Sequence, residues 1–114
     1  MIHRGEVYWI NFNPTLGSEI KKIRPAVIIS NNQANQYSDL VTIVPVTSKV
    51  DRIYPWDVPV EKGMGGLKEN GKINASQIRT VSKKRIIRGP LGPLLSVDVI
   101  HRLEAAIKIH LSFE

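Results

Sequence analysis

PAVIIS (residues 25–30) and VTIVPV (residues 41–46) are the two stretches that decide the fold of this chain. Both are short, continuous apolar runs rich in β-branched residues, which favours buried strands. The second run contains Pro45, which has no backbone N–H to donate to a ladder. The pattern therefore predicts two buried strands, with a sheet edge, a bulge or a strand end near Pro45.

Further strands flank these two runs. Residues 5–12 (GEVYWINF) are rich in aromatic and β-branched side chains, and the turn-forming residues 13–17 end the run. Other strand-like runs lie at residues 56–60, 72–78, 80–81 and 86–87. Five to seven short strands separated by turn residues predict a small, strongly bent β-barrel.

The C-terminal segment changes to a helical period. Its apolar residues are spaced three, four and four apart, on one predicted helix face: Ile100, Leu103, Ile107 and Leu111. Ser96 is the expected N-cap, and Asp98 lies near the positive end of the helix. Glu104 and Lys108 are spaced for a favourable i,i+4 pair.

Three segments between these elements are predicted to be loops or short turns. Residues 18–24 carry three positive charges and little apolar periodicity, which indicates an exposed loop of a length often used for function. Residues 31–37 are polar, with room for one helical turn. Residues 61–66 contain Gly63, Gly65 and Gly66, which predict a mobile loop.

The composition is that of one soluble globular domain over residues 1–114. No apolar run approaches the roughly 18–20 residues that span a bilayer, and we expect no signal peptide. The chain has no cysteine, which excludes disulfides and thiolate metal sites. A cytoplasmic location fits these features.

Positive charge is concentrated in one stretch. The chain has 16 Lys and Arg against 10 Asp and Glu, a net charge of +6. Residues 68–88 hold seven basic side chains and one acidic side chain, so this stretch carries the whole excess. The distribution favours a surface for a polyanion, and a solvated basic loop is the alternative.

Several catalytic motifs are absent from the sequence. His3, His101 and His110 are scattered, and no H-x-x-x-H or paired-carboxylate motif occurs, so no metal site is expected. Residues 63–66 do not match a phosphate-binding loop, and no G-x-S-x-G elbow for a catalytic serine is present. No cofactor is expected.

Polar residues at strand ends remain as candidates. Arg24 precedes Pro25, whose fixed backbone gives the guanidinium a stiff base. Thr47 and Ser48 follow the run VTIVPV. Each has a structural alternative: Arg24 could form an ion pair with Glu19, and Thr47 could be a turn hydroxyl.

Gln77 and Arg79 flank Ile78 in the segment NASQIRT. If this segment is a strand, both polar side chains point to one face while Ile78 points to the other. The alternative for Arg79 is a solvated charge.

Four sequence segments resemble the MazF/PemK family, the toxins of bacterial toxin–antitoxin pairs. They are RGEVYWINFNPTLGSE (residues 4–19), RPAVIISN (24–31), VTIVPVTS (41–48) and QIRTVSKKRI (77–86), followed by the C-terminal helix. They occur in the family order and cover most of the chain. The resemblance implies a mainly β fold, the small SH3-like barrel with helices that this family shares with the CcdB gyrase poisons.

The resemblance also implies a function and partners. The expected activity is a metal-independent endoribonuclease that cuts single-stranded mRNA at a short sequence. A labile antitoxin is expected to bind across the same surface and block it. The expected assembly is a homodimer.

The family's functional residues can be transferred by position. The resemblance assigns the catalytic arginine and threonine to Arg24 and Thr47, and the loop acid to Glu19. The residues expected to bind RNA are Ser18, Ser48, Gln77, Arg79, Lys83 and Lys84.

The sequence also departs from the family pattern. Many relatives have glutamate at the position of Ser76, and some have histidine at the position of Ile23. The aspartate used in the PemK branch has no match near Val81. These differences leave the assignment of acid and base open.

The residues support a mechanism that uses the 2′-OH of RNA as the nucleophile. We expect Arg24 to donate N–H groups to the scissile phosphate and Thr47 to bind a non-bridging oxygen. Glu19 is the better general base on chemical grounds, because the pKa of arginine lies above about 12. The products would be a 2′,3′-cyclic phosphate and a 5′-OH.

Trp9 and Trp56 are the aromatic candidates for stacking on RNA bases. Trp9 lies inside a predicted strand and is expected in the core. Trp56 lies beside Pro55 and close to the glycine-rich loop, and either role fits it.

Two other functions fit the same fold. One is a toxin that binds gyrase, but in that family the activity depends on a C-terminal tryptophan, and this chain ends in IHLSFE. The other is an RNA-binding barrel without catalysis. Incubation with single-stranded RNA in EDTA distinguishes cleavage, binding and neither.

Overall fold

The structure is a computed structural model that describes residues 1–113. Its elements are β1 (Val7–Asn11), β2 (Ile23–Ile28), α1 (Asn32–Tyr37), β3 (Leu40–Thr47), β4 (Asp57–Val60), β5 (Gly71–Asn74), β6 (Arg79–Ser82), β7 (Ile86–Arg88) and α2 (Val97–Leu111). Short 3₁₀ turns occupy Met64–Gly66, Ala75–Gln77 and Lys83–Arg85. Within the described residues, no helix combines the length and apolar character needed to cross a membrane.

All strands belong to one antiparallel sheet. The strand order is β4-β5-β3-β2-β1-β7, and β6 pairs with the first half of β3. No pairing joins the outer strands β4 and β7 within residues 1–113, so the bent sheet stays open. The predicted mainly β fold with a C-terminal helix is therefore confirmed, as a barrel-like sheet that does not close.

Pro45 lies in the internal strand β3, two residues before that strand ends at Thr47, so of the predicted alternatives the sheet edge is wrong and the nearby strand end is confirmed. It pairs with Ala26 of β2 on one side of β3. On the other side, β6 pairs with β3 as far as Ile43, and β5 begins to pair at Val46. Pro45 therefore falls in the interval where β3 exchanges one partner strand for another, and there a missing N–H costs little.

The central strands bury side chains on both faces of the sheet. One cluster contains Val27 and Val44 and packs under α2 through Leu103. The other cluster lies inside the bend and contains Ile28 and Ile43. Burial on both faces explains why PAVIIS and VTIVPV read as continuous apolar runs rather than alternating ones.

The start of α2 agrees with the prediction. The Ser96 hydroxyl accepts the Val99 N–H at 3.2 Å, and Asp98 lies in the first turn. The buried residues of α2 are Val99, Leu103 and Ala106, whereas Leu111 is 43% exposed. The predicted apolar face was therefore right at its centre and wrong at its C-terminal end.

Glu104 pairs differently from the prediction. Its Oε2 lies 2.8 Å from Nη2 of Arg4, and no ion pair with Lys108 occurs among the described residues. Arg4 also donates from Nε to the Ile29 carbonyl at 2.9 Å. The glutamate therefore ties α2 to the N-terminal segment and the end of β2 instead of supporting the helix internally.

The glycine-rich loop is packed closely rather than left open. Gly65 is buried, and a Cβ there would lie 2.8 Å from Val7. A Cβ at Gly66 would lie 2.3 Å from the Leu91 carbonyl oxygen. Close packing, rather than the predicted mobility, therefore explains why glycines occupy these positions.

The strand predicted over residues 72–78 ends earlier. β5 stops at Asn74, and the 3₁₀ turn Ala75–Gln77 separates it from β6. The Asn74 side chain accepts the Ser76 N–H at 3.0 Å, which favours the turn. Gln77 and Arg79 therefore do not share one strand, and the argument that placed them on one face is wrong.

Candidate active site

Arg24 and Thr47 are brought together by the register of β2 and β3. These strands pair Ala26 with Pro45, and continuing the register by two residues places Arg24 opposite Thr47. Directly opposed residues in an antiparallel pair have Cβ atoms about 4.5–5.5 Å apart and point to the same face. In agreement with this placement, Arg24 and Thr47 line the same two neighbouring cavities.

Both residues line a long open groove of about 1050 Å³. This volume is at the upper end of the ~300–1,000 Å³ typical of small-molecule sites, and an open groove suits a polymer. The lining comes from the β1–β2 loop, the end of β3, the β3–β4 segment and β5. It consists of residues 17–22, Arg24, residues 47–49, Asp51, Arg52, Tyr54, Lys72, Asn74 and Gln77.

The groove is electropositive. Six basic side chains line it, namely Lys21, Lys22, Arg24, Lys49, Arg52 and Lys72. Glu19 and Asp51 are the acidic residues in the lining, and Lys72 is paired with the buried Asp57, so the other five positive charges against two negative charges leave +3. Such a surface attracts a polyanion.

Arg24 is half-buried and keeps its forked end available. Its Nε donates to the Lys21 carbonyl at a long 3.3 Å. The four ion pairs among residues 1–113 do not include Arg24, so the ion pair with Glu19 considered as an alternative does not form. An arginine anchored through Nε presents both Nη groups to a phosphate.

Thr47 ends β3, and its hydroxyl has a local bond. Its Oγ1 accepts the Lys49 N–H at 3.2 Å, so the turn role considered as an alternative is real. Because Oγ1 is then an acceptor from the backbone, its own proton can be donated to a ligand. Ser48 is exposed beside it and lines the same groove.

Glu19 reaches the groove on the β1–β2 loop. Its Oε1 accepts the Leu16 N–H at 2.6 Å, which leaves Oε2 for another partner. The loop is fixed at its centre by Gln77, whose Oε1 accepts the Ile20 N–H at 3.1 Å. Nε2 of Gln77 donates to the Ser18 carbonyl at 3.4 Å. Gln77 therefore positions the loop that carries Ser18 and Glu19.

A buried ion pair at the floor of the groove was not expected from the sequence. Lys72 Nζ lies 2.9 Å from Asp57 Oδ2, and both side chains are at least nine-tenths buried. Lys72 is the cross-strand partner of Thr47 on β5. The alternation of Lys72 with the core residue Ile73 was a usable signal, because it places Lys72 on the face opposite the core.

Three residues predicted to bind RNA lie outside the groove lining. Arg79 begins β6, and its guanidinium carbon lies 5.8 Å from the Phe12 ring centroid. Lys83 and Lys84 follow β6, whose last residue, Ser82, pairs with the first residue of β3. They therefore lie toward the opposite end of β3 from Thr47.

The basic stretch 68–88 is only partly available to a ligand. Lys72 is buried, and Arg85 Nη1 donates to the Asn11 carbonyl at 3.1 Å. The Arg88 guanidinium carbon lies 5.6 Å from the Trp9 ring centroid. Lys72 therefore does not belong to an exposed basic surface, and a polyanion surface formed by the other residues stays a prediction.

A second, smaller cavity of about 340 Å³ lies next to the groove, and Arg24 and Thr47 line both. Its apolar wall includes Trp9, Pro25 and Leu91. Trp9 is half-buried there rather than part of the core, because its position in β1 is beyond the area that α2 covers.

Within residues 1–113, no three His, Asp or Glu side chains converge as metal ligands would. The groove instead offers a fixed guanidinium, a hydroxyl and one carboxylate oxygen. Such a set can bind a phosphodiester, stabilise added negative charge on it and accept one proton.

The chain matches known proteins along nearly its whole length. A family described as the PemK-like, MazF-like toxin of type II toxin–antitoxin systems matches residues 3–111. Endoribonuclease MazF9 of Mycobacterium tuberculosis is 35% identical over an alignment of 116 positions that covers 97% of this chain and 97% of that protein.

Solved structures share the fold. MazF from Deinococcus radiodurans superposes with a TM-score of 0.84 at 25% identity and covers 98% of this chain and 97% of its own. A mycobacterial endoribonuclease in complex with its cognate antitoxin has a TM-score of 0.81 at 24% identity, with 100% and 98% covered.

Proposed function

Because this chain belongs to the PemK-like, MazF-like toxin family, we propose that the groove holding Arg24 and Thr47 is the active site of its endoribonuclease activity. The observation that carries this proposal is that Arg24 and Thr47 line the same positively charged groove. The proposed substrate is single-stranded RNA, since the groove is open and positively charged.

The proposed reaction is an internal displacement at phosphorus. The 2′-oxygen of one nucleotide forms a bond to the adjacent phosphorus, and the bond from phosphorus to the 5′-oxygen breaks. The 2′-OH proton passes to a base, and the leaving 5′-oxygen receives a proton. The products are a 2′,3′-cyclic phosphate and a 5′-OH.

Arg24 and Thr47 are proposed to stabilise the charge that develops in this step. The Nη groups of Arg24 face the non-bridging oxygens, and the Thr47 hydroxyl donates to one of them. Preorganised donors of this kind typically contribute about 10²–10³ in rate each. Because a guanidinium supplies a positive charge and N–H donors but no acceptor, the proposed role of Arg24 is electrostatic.

Glu19 is proposed as the general base. The open Oε2 and the position of Glu19 on a loop held by Gln77 support this role. Nothing in this reaction requires a metal ion, because RNA supplies the nucleophile and arginine supplies the positive charge.

Partners follow from the family. A cognate antitoxin protein that covers the groove, a homodimeric assembly and a cytoplasmic location with access to mRNA are parts of the proposal. The antitoxin is supported by the description of the family as part of type II toxin–antitoxin systems.

The test is to incubate the purified protein with single-stranded RNA in EDTA and to sequence the new ends. Discrete cuts with 5′-OH and cyclic phosphate ends are expected. An RNA with one 2′-deoxyribose at the cut nucleotide should resist cleavage at that position. Bound but intact RNA would contradict the activity, and a trapped gyrase–DNA complex without RNA cleavage would favour the gyrase poison.

A further inference from the structure

The segment between β3 and β4 carries an aromatic stack into the groove. The Tyr54 and Trp56 rings are nearly parallel, at 4° between planes, with centroids 4.9 Å apart. Tyr54 is 38% exposed and lines the same groove as Arg24 and Thr47. Trp56 is half-buried behind it and packs against the core cluster under α2.

The backbone around this stack is fixed by polar contacts. Tyr54 N–H donates to Asp57 Oδ2 at 2.8 Å, and Asp57 N–H donates to the Tyr54 carbonyl at 2.9 Å. Lys72 Nζ donates to Asp57 Oδ2 at 2.9 Å and to the Arg52 carbonyl at 2.6 Å. The buried ion pair therefore holds residues 52–57 in place before any ligand arrives.

The exposed ring is surrounded by positive charge. The Arg52 guanidinium carbon lies 5.9 Å from the Tyr54 ring centroid, and Arg52 Nη1 donates to the Tyr54 hydroxyl at 3.1 Å. Lys72 Nζ lies 5.6 Å from the same centroid. A partly exposed aromatic ring with cations close to it is a combination that can bind a nucleobase together with its phosphate.

The stack also lies close to the reacting groups. Tyr54 lines the same groove as Arg24 and Thr47. Lys72, whose Nζ lies 5.6 Å from the Tyr54 ring centroid, is directly opposite Thr47 on the neighbouring strand. The ring is therefore within reach of a nucleotide close to the scissile phosphate.

We propose that Arg52, Tyr54 and Trp56 form a nucleobase-stacking subsite for one nucleotide beside the cut. The inference rests on the proposed function, because it takes RNA as the ligand of the groove. The subsite reads a flat base, and Arg52 contacts the phosphate attached to it. Asp57 and Lys72 are positioning residues for the subsite.

The experiment combines protein variants with modified RNA. The probe is a short RNA containing the mapped cut site, with 2′-deoxyribose at the cut nucleotide to prevent cleavage. A series of these probes lacks one base at each position in turn. Affinities are measured for wild-type protein, Tyr54→Ala, Tyr54→Phe and Tyr37→Ala, where Tyr37 is an exposed tyrosine at the end of α1.

Tyr54→Ala should weaken binding of the complete probe about 5- to 150-fold, the factor typical for losing one base–aromatic stack. One abasic position should weaken wild-type binding by a similar factor and should not weaken Tyr54→Ala further. Tyr37→Ala should bind as wild type does, and Tyr54→Phe, which keeps the flat ring, should bind more tightly than Tyr54→Ala. If Tyr54→Ala does not fold, Tyr54→Leu, which keeps the apolar bulk without a flat ring, takes its place.

Equal losses for every abasic probe would overturn the subsite, since Tyr54 would then only shape the groove. A variant that loses antitoxin binding but keeps RNA binding would overturn it in favour of a protein-docking role. If wild-type protein cuts RNA but each abasic probe weakens binding of wild type and Tyr54→Ala by the same factor, the subsite is contradicted and the proposed function is not. Wild-type protein that neither binds nor cuts RNA removes the proposed function as well.

Discussion

Arg24 and Thr47 show how much a single residue's role depends on its neighbour. Arg24 is followed by Pro25, which keeps the backbone extended, and its Nε is held by the Lys21 carbonyl. Thr47 is at the end of β3, where the hydroxyl can face the groove. Neither residue is unusual alone, and the site arises because β2 and β3 set them opposite each other.

At this scale we expect Arg24→Ala to lower the cleavage rate by at least about 10²-fold, because a preorganised donor to the phosphate is lost. RNA binding should persist through the other groove cations. The measurement is single-turnover cleavage of the mapped RNA. Arg102→Ala, on the exposed surface of α2, is the matched control. Near-wild-type cleavage by the Arg24 variant would remove the residue from the mechanism.

Tyr8 provides a pH-dependent prediction. Burial, a hydrogen bond from its hydroxyl to Glu6 at 3.0 Å and the charge of Glu6 raise the pKa of Tyr8 from 10.0 to about 12. The raised pKa contributes stability that is fully present below about pH 10 and is lost as the pH rises through about 12. The free energy of unfolding should therefore fall with pH in this window more steeply in wild type than in Tyr8→Phe.

The Tyr8 titration can also be seen directly. The phenolate absorbance present in wild type and missing in Tyr8→Phe should appear with a midpoint near pH 12. A midpoint near pH 10 would show that the hydroxyl is not held by burial and Glu6.

At the scale of elements, α2 packs against the core through a shorter apolar face than its sequence predicted. Leu103 lies at the centre of the core cluster under the helix, whereas Leu111 is exposed. The helical period identified the helix and its N-cap correctly. The contact of α2 with this cluster extends as far as Ile107, which is partly buried against it.

Two leucine variants test this face. Leu103→Ala should lower the free energy of unfolding by about 2–5 kcal/mol, because it leaves a cavity in the core. Leu111→Ala should change it by no more than about 0.5 kcal/mol, as is usual for exposed positions. Urea unfolding followed by circular dichroism measures both. Similar losses in the two variants would contradict the observed burial.

At the scale of the whole molecule, the distribution of charge differs from its distribution along the chain. The basic stretch 68–88 is spread over several strands, and the groove gathers its charge from four separate segments. Folding therefore creates a positive groove beside Thr47 that the linear cluster did not predict.

Lys83 and Lys84 stay predicted RNA contacts, at a distance from the cut. Leu40 pairs with Ser82, which directly precedes these lysines, and Thr47 lies seven residues further along β3. At about 3.3 Å per residue, the separation is roughly 23 Å. With a long single-stranded RNA, Lys83→Ala/Lys84→Ala should reduce the magnitude of the negative slope of log affinity against log salt by about 1.4, since each phosphate contact contributes about 0.7. With an RNA that fills only the groove, the slope should not change.

The matched control for this experiment is Arg102→Ala/Lys108→Ala, which removes two positive charges from α2. Its slope should equal the wild-type slope with both RNAs. An unchanged slope for the Lys83/Lys84 variant with long RNA would show that these lysines are solvated and do not bind it.

Residue patterns by themselves determined the mainly β fold and the helix capped by Ser96, and they singled out Arg24 and Thr47 as candidates for the site. Apolar runs, caps and residues that end strands are local features, and local free energies fix them. The pairing of β3 with two partner strands at Pro45, the burial of Lys72 against Asp57 and the stack at Tyr54 were decided only by the tertiary structure. Each depends on contacts between residues far apart in sequence, whose free energy exists only when the sheet bends and brings those segments together.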